Sequence, residues 1–338
     1  MNCMISLEIS ENADDNWNKR LEQSDFGTIP QITETGQQFK TNNQIPHYIK
    51  FLDPSGKIVG QLLMSETSRF QEAPYKKKKL SNKLGKFSGI LNLANVKTKL
   101  YRWSYGPVIF EPEHSHEIYQ ALSTHLCSDK SFQVLGWQHP FQTEGLSGLL
   151  KKFEIIKWGT FIIDLTIPKD EIFQKIDKNS GRKNIKRAIN QNVTIEKIND
   201  DNLFAYFELL NADKPDRGGS NSNFQDFKEL WNKLKSIGRT GFIARKNSEI
   251  LSGLTFNYFS NHIIEGAVAR SNIDKQNSYY SQDLIRWKII EWGIEHNMKW
   301  YNLAGFNPKL ETSKEEGIYR YKKKWGGKKY DYFGIKLI

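Results

Sequence analysis

The chain has 338 residues, with 49 lysines and arginines against 38 aspartates and glutamates, for a formal net charge of +11. At 38% hydrophobic and 13% aromatic it can bury substantial cores, which excludes general disorder, and no apolar run reaches the roughly 18 residues of a membrane span. The N-terminus lacks the basic start and apolar stretch of a signal peptide, and Cys3 and Cys127 form no metal or redox spacing, so a reduced, cytoplasmic setting is expected. In chain order, residues 13–23 read as a short helix holding Trp17 and Leu21 on one face. Residues 47–53 and 57–64 flank a Pro/Gly turn and read as a hairpin. Residues 73–100 read as a loop, 99–105 as a strand, and 113–128 as a helix through Ile118, Leu122 and Leu126. A strand at 161–165 precedes helices over 169–176 and 181–190, a short strand at 193–198, and helices over 202–211 and 223–236. Three strands in succession (241–246, 251–259, 263–270) lead to a long helix over 278–296. A strand at 300–303, a helix over 315–325 and a strand at 330–337 close the chain. That order predicts a mixed α/β (α+β) fold built around an antiparallel meander, with no fixed-period repeat.

The positive charge is concentrated. Residues 73–100 contain eight lysines, Lys76–Lys79 among them, and no acid. Two further basic stretches hold Arg182, Lys183, Lys186 and Arg187, and Arg320, Lys322, Lys323, Lys324, Lys328 and Lys329. Such clustering points to polyanionic partners: nucleic acid, phosphorylated ligands or anionic lipid. There is no Walker-type GxxxxGK, no GxGxxG, no HExxH and no CxxC, and His114 and His116 stand two apart on a helix, so no metal site is expected. On a helix Arg182 stacks with Lys186 and Lys183 with Arg187, giving a four-cation face above Ile185, Ala188 and Ile189. Ser180 reads as the N-cap of that helix, which would direct backbone N–H groups at a phosphate. Near the C-terminus Tyr319, Arg320, Tyr321, Lys322, Lys323, Lys324 and Trp325 interleave rings with cations, the composition of a surface that binds an anion with a stackable face.

These stretches resemble the FemAB/FemX family of aminoacyl-tRNA-dependent transferases that build peptidoglycan side bridges. The resemblance rests on three blocks. Residues 160–166 with 181–188 are similar to the family's strand and R-x-N-I-x-x-A helix. The second block comprises 266–271, 284–293 and 300–305. In the third, Gly317-Ile-Tyr-Arg-Tyr-Lys-Lys-Lys-Trp-Gly326 is similar to G-L-Y-R-F-K-x-x-F-G. Weaker echoes are residues 31–40 and Gly106-Pro107-Val108. The resemblance implies two acetyltransferase-like (GNAT) lobes with a ligand cleft between them and no coiled-coil arm. The lobes would be 1–157, joined by a returning strand at 328–338, and 158–327. It places Arg182, and more weakly Lys40, on phosphate-binding positions and Lys322 on the active-site lysine. Lys186, Tyr319, Arg320 and Tyr321 are the further substrate-binding candidates. The chain departs from the family at Thr35 (usually Trp), at Phe110 (often Asp) and at Asn302-Leu-Ala-Gly (usually D-F-G-G).

The implied reaction is aminoacyl transfer from aminoacyl-tRNA to a primary amine of a phosphorylated or lipid-linked envelope precursor, forming an amide with no cofactor. Lys322 would stabilise the oxyanion, and Glu265 is a candidate base only by lying on a central strand. Peripheral contact with anionic membrane would fall to Lys76–Lys79. Two alternatives stay open. One is an acyl-CoA-dependent N-acyltransferase acting on an amino sugar or envelope polysaccharide, disfavoured because residues 272–282, ahead of the long helix, contain no glycine. The other is a non-catalytic RNA-binding module.

Overall fold

The computed structural model describes residues 5–68, 99–128, 132–212 and 223–337. The Lys76–Lys79 cluster, and with it the expected lipid contact, lies outside the described residues. The chain divides into unit 1, Met1–Trp158 with Asp331–Ile338, and unit 2, Gly159–Tyr330.

Unit 1 begins with an antiparallel run of β1 (Ser6–Ser10), β2 (Ile45–Leu52), β3 (Ile58–Ser68) and β4 (Lys99–Trp103). A two-residue β5 (Val108–Ile109) pairs farther along β3. The helix α3 (Ser115–Ser128) then carries the chain across to β6 (Phe132–Trp137), which lies parallel to β4, as a parallel pair requires of its connection. Helix α1 (Trp17–Gln23) buries Trp17 and Leu21, and α2 (Thr33–Thr41) is tied down by the Tyr48 hydroxyl, which donates to the Thr33 carbonyl at 3.1 Å. Ile49, Phe51, Leu62, Met64, Tyr119 and Leu122 form the core between the sheet and α3.

Unit 2 repeats this scheme. After β7 (Phe153–Asp164), α4 (Lys169–Lys175), a π turn at Lys178–Arg182 and α5 (Lys183–Asn190), an antiparallel run begins with β8 (Thr194–Lys197). Helices α6 (Leu203–Ala212) and α7 (Phe224–Lys235) intervene before β9 (Arg239–Lys246), β10 (Glu249–Phe259) and β11 (His262–Arg270). The crossover is α8 (Asn272–Asn277) and α9 (Ser281–Glu295), and it delivers β12 (Trp300–Phe306) parallel to β11. Helix α9 is buried on nearly every side, its charged Asp283 and Arg286 included, with Ile285, Trp287, Ile289 and Trp292 packed among Phe161, Phe242 and Phe256. Helix α10 (Ser313–Lys323) follows, started by a Thr312–Glu315 capping box.

Each unit is completed by an antiparallel strand drawn from elsewhere in the sequence. Unit 2 takes the second half of β7 against β12, and unit 1 takes β13 (Lys328–Leu337) against β6. The duplication is therefore one of topology, which a search for repeated residues does not see. Six elements were not foreseen: β1, α2, β5, β6, the first half of β7 and α8. β1 is mostly exposed and so lacks an alternating apolar pattern. β6 carries Gly136 in its interior because the Trp103 ring lies where a Cβ would be. No helix among the described residues is long and apolar enough to cross a membrane.

Candidate active site

The site of unit 2 begins where two parallel strands part. β11 and β12 are in register only over His262–Ile264 and Trp300–Asn302. Past that point the pairing of β12 with β7 slips, and Ala304 adopts a positive φ of 62°. Asn302 shapes this bulge: its Oδ1 accepts from the Ala304 N–H at 2.9 Å and lies 2.6 Å from the Thr160 hydroxyl. The bulge turns two carbonyls the same way, and the Lys322 ammonium donates to both, Ala304 O and Gly305 O, at 2.9 Å each. In unit 1 the corresponding strands stay paired from Lys99/Phe132 to Trp103/Gly136, with Trp103 stacked across the join. Among the described residues, the parting belongs to unit 2.

Behind Lys322 lies a buried polar network. Arg286 of α9 grips Glu265 of β11 with two hydrogen bonds of 2.6 and 2.9 Å, both side chains being 6% exposed. The Tyr301 hydroxyl donates to the same carboxylate at 3.0 Å. Arg286 Nη1 donates to the Tyr321 hydroxyl at 2.7 Å, and that hydroxyl donates to Asp283 at 3.0 Å. Asp283 also pairs with Lys324 and accepts from Asn184 of α5 at 2.9 Å. The guanidinium of Arg286 and the ammonium of Lys324 both lie over the Tyr321 ring, 4.7 and 4.0 Å from its centre. No charge here is buried without a partner, which is the condition under which such groups are tolerated.

Burial drives the ionisation of the site. It pulls the Lys322 amine down from the ordinary 10.5 to about 8, with the Glu265 carboxylate working to raise it and the Arg286 guanidinium to lower it. Lys324 is also lowered by burial, against the pull of Asp283. Burial pushes the hydroxyls of Tyr301 and Tyr321 well above the usual range, so both remain protonated donors. Burial works against the charge of Arg286, but Glu265 and the surrounding hydroxyls keep it firmly protonated. Glu265, its side chain 6% exposed and accepting twice from Arg286 and once from Tyr301, anchors this network. It is not placed as a general base.

The other sequence candidates fall as follows. Arg182 ends the π turn, donates through Nη1 to Gln174, and has a buried Nε without a partner. Ser180 is not an N-cap. Asp177 takes that role, accepting from the N–H groups of Asn179 and Ser180 and from the Ser180 hydroxyl, and α5 begins only at Lys183. The chain turns three residues earlier than periodicity alone places it, because Asp177 and the close-packed Gly181 fix a wider π turn there. Lys183 and Lys186 are exposed on α5, while Arg187 leans on Tyr280. Tyr319 packs between Phe161 and Phe306, with ring centres 5.6 and 5.2 Å away, and Arg320 is exposed. In unit 1, Lys40 donates to Asn12 at 2.8 Å in a hollow of about 400 Å³ shared with Glu11, Asp14 and Asp15. His116 meets Ser147, and His114 lies near Glu111. No group of three ligating side chains is assembled for a metal among the described residues.

Asp283, Arg286, Asn184 and Tyr301 were not singled out from the sequence. Two of them did leave a signal there. Asp283 and Arg286 stand three apart inside the apolar run of α9, where a charge must have a buried partner.

Residues 240–335 match the model of the FemAB family. That segment runs from β9 to β13. It contains Glu265, Asp283, Arg286, Tyr301, Lys322 and Lys324, while Arg182 and Lys40 lie outside it. Among solved structures the chain is similar to one described as FemX (12% identity, 96% of each chain covered, TM-score 0.68). It is also similar to L-PGS from Bacillus licheniformis (13%, 97% of this chain and 93% of that one, 0.55). A third is a tandem GNAT protein from the clavulanic acid biosynthesis pathway (10%, 98% of each, 0.53). At such identities the likeness is one of fold: mixed α/β units of GNAT type. No curated protein matches the sequence. The FemAB match together with the GNAT-type fold indicates a transferase of an aminoacyltransferase family.

Proposed function

We propose that the FemAB-type chain transfers an aminoacyl group from aminoacyl-tRNA to a primary amine of a phosphorylated or lipid-linked cell-envelope precursor, acting in the cytoplasm. The observation that carries this reading is the seat of Lys322: a half-buried ammonium at the parting of β11 and β12. The neutral acceptor amine attacks the ester carbonyl, forming a C–N bond. The tetrahedral oxyanion faces the ammonium of Lys322, and collapse breaks the bond to the tRNA ribose oxygen. The proton lost by the amine goes to that oxygen. A lysine titrating near 8 holds a proton at neutral pH and releases it readily, so it suits both charge stabilisation and proton delivery. Arg182, with Lys186 and Arg320, supplies the cations for acceptor and tRNA phosphates, Lys40 of unit 1 is the weaker phosphate-binding candidate, and Tyr319 and Tyr321 brace the helix that carries Lys322.

A CoA donor fits less well. The start of α9, where a pyrophosphate would be received, is filled by the chain's own acids. Asp274 accepts from the Ser281 N–H at 3.1 Å, and Asp283 stands in the first turn. A helix N-terminus already holding carboxylates offers little to another anion. The test is radiolabelled transfer onto cell-envelope extract from charged total tRNA and from acetyl-CoA in parallel. Label should pass from tRNA alone. Label from acetyl-CoA alone, or tight RNA binding with no transfer, would replace this reading with one of its alternatives.

A further inference from the structure

Helix α10 carries Lys322, yet none of its residues is buried. Tyr319 gives it one apolar hold, packed between Phe161 and Phe306. Its other fixed points are polar. Tyr321, next to Lys322, places its hydroxyl between Arg286 and Asp283 of α9, and Lys324 pairs with Asp283. Asp283 in turn accepts from Asn184 on α5, two residues beyond Arg182. The backbone closes the loop: the Asp177 N–H, which opens the turn leading to Arg182, donates to the Lys324 carbonyl at 2.7 Å. One hydroxyl therefore lies at the junction of the helix bearing Lys322, the core helix α9 and the helix that follows Arg182.

We propose that the Tyr321 hydroxyl is a positioning group that locks α10 to α9 and α5 and thereby sets where the Lys322 ammonium stands relative to Arg182. This rests on the role given to Lys322 above. It extends that role by naming what holds the lysine in register with the acceptor's phosphate. The charged groups acting on Lys322 are Glu265 on β11 and Arg286 on α9, and its ammonium donates to two carbonyls on β12; Tyr301, Tyr321, Asp283 and, just past α10, Lys324 join these through the network. Loss of the hydroxyl leaves every one of these charges in place and removes only the tether.

Tyr321→Phe is the test, measured in the aminoacyl-tRNA transfer assay with thermal melting alongside. The turnover kcat should fall about 10- to 100-fold, the cost of an ångström-scale misplacement. The KM for aminoacyl-tRNA should stay unchanged, and the alkaline limb of the pH profile should move upward as water reaches a looser Lys322. Asn184→Ala removes the α5 end of the same chain of contacts without touching Lys322, and its effect should not multiply with that of Tyr321→Phe. Wild-type kcat with an unmoved limb in Tyr321→Phe would overturn the proposal, as would fully multiplicative effects in the double variant. If Tyr321→Phe does not fold, Asn184→Ala alone decides, by the same fall in kcat or its absence. Activity retained in Lys322→Ala is a different failure, which removes the role of Lys322 itself.

Discussion

Lys322 is held where its charge is costly. Moving a lysine from 10.5 to about 8 corresponds to about 2 kcal/mol against the charged folded form once partial solvation is discounted. The sign follows from proton binding. Between about 8 and 10.5 the unfolded chain binds the proton and the folded one does not, so stability rises with pH across that window. Below about 8 the penalty is present in full. Lys322→Met, which keeps the volume and drops the charge, should therefore raise the melting temperature at pH 7 by about 2–4 °C. The gain should shrink as pH rises toward 10.5, in melts followed by circular dichroism. A variant less stable than the parent at pH 7 would mean that the ammonium is not desolvated in this seat. Lys322 and Arg182 were singled out in the sequence because neighbouring motif residues marked them. Asp283 and Asn184 were not, because their importance lies in what they touch across 38 and 99 residues of chain.

At the scale of elements, the π turn at Lys178–Arg182 is the part that pattern alone placed incorrectly. The run 181–190 has good helical periodicity, but the chain enters it through a wider turn capped by Asp177. Three donors on one carboxylate hold the Asp177 side chain below its ordinary value, the hydroxyl of Ser180 being the strongest of them. Asp177→Ala should loosen this turn and raise the KM for the phosphorylated acceptor severalfold. Because the backbone bond from Asp177 to Lys324 survives, kcat should change little. Initial-rate kinetics at varied acceptor concentration separate the two, and an unchanged KM would detach Arg182 from acceptor binding. Helix α10 makes the complementary point. Its capping box was readable as Thr312-x-x-Glu315, whereas its polar docking was not, since rings and cations in sequence look alike whether they face a ligand or a neighbouring helix.

For the molecule as a whole, the meander, the long apolar helix and the strand after it were legible because each carries a strong period. The duplicated topology was not, because two units can share strand order without sharing residues. The supply of β13 to unit 1 has a measurable consequence. Ile335 is fully buried in the unit 1 core, and Gly334–Lys336 pair with Leu135–Trp137. Truncation after Lys324 should therefore unprotect β6 to hydrogen exchange, although β6 lies about 190 residues away in sequence. Protection of β6 in the truncated chain would contradict the pairing. The charge of +11 also takes on structure at this scale: Lys324 and Arg286 are consumed inside the protein by Asp283 and Glu265, while Lys183, Lys186 and Arg320 remain at the surface for polyanions.

The most direct measurement is single-turnover transfer from charged tRNA by Lys322→Ala, with folding verified by its melt. Transfer should fall to background while RNA binding persists, since the surface cations are untouched. Transfer at the parent's rate would contradict the central claim that this ammonium, seated on the carbonyls of Ala304 and Gly305, stabilises the reacting ester.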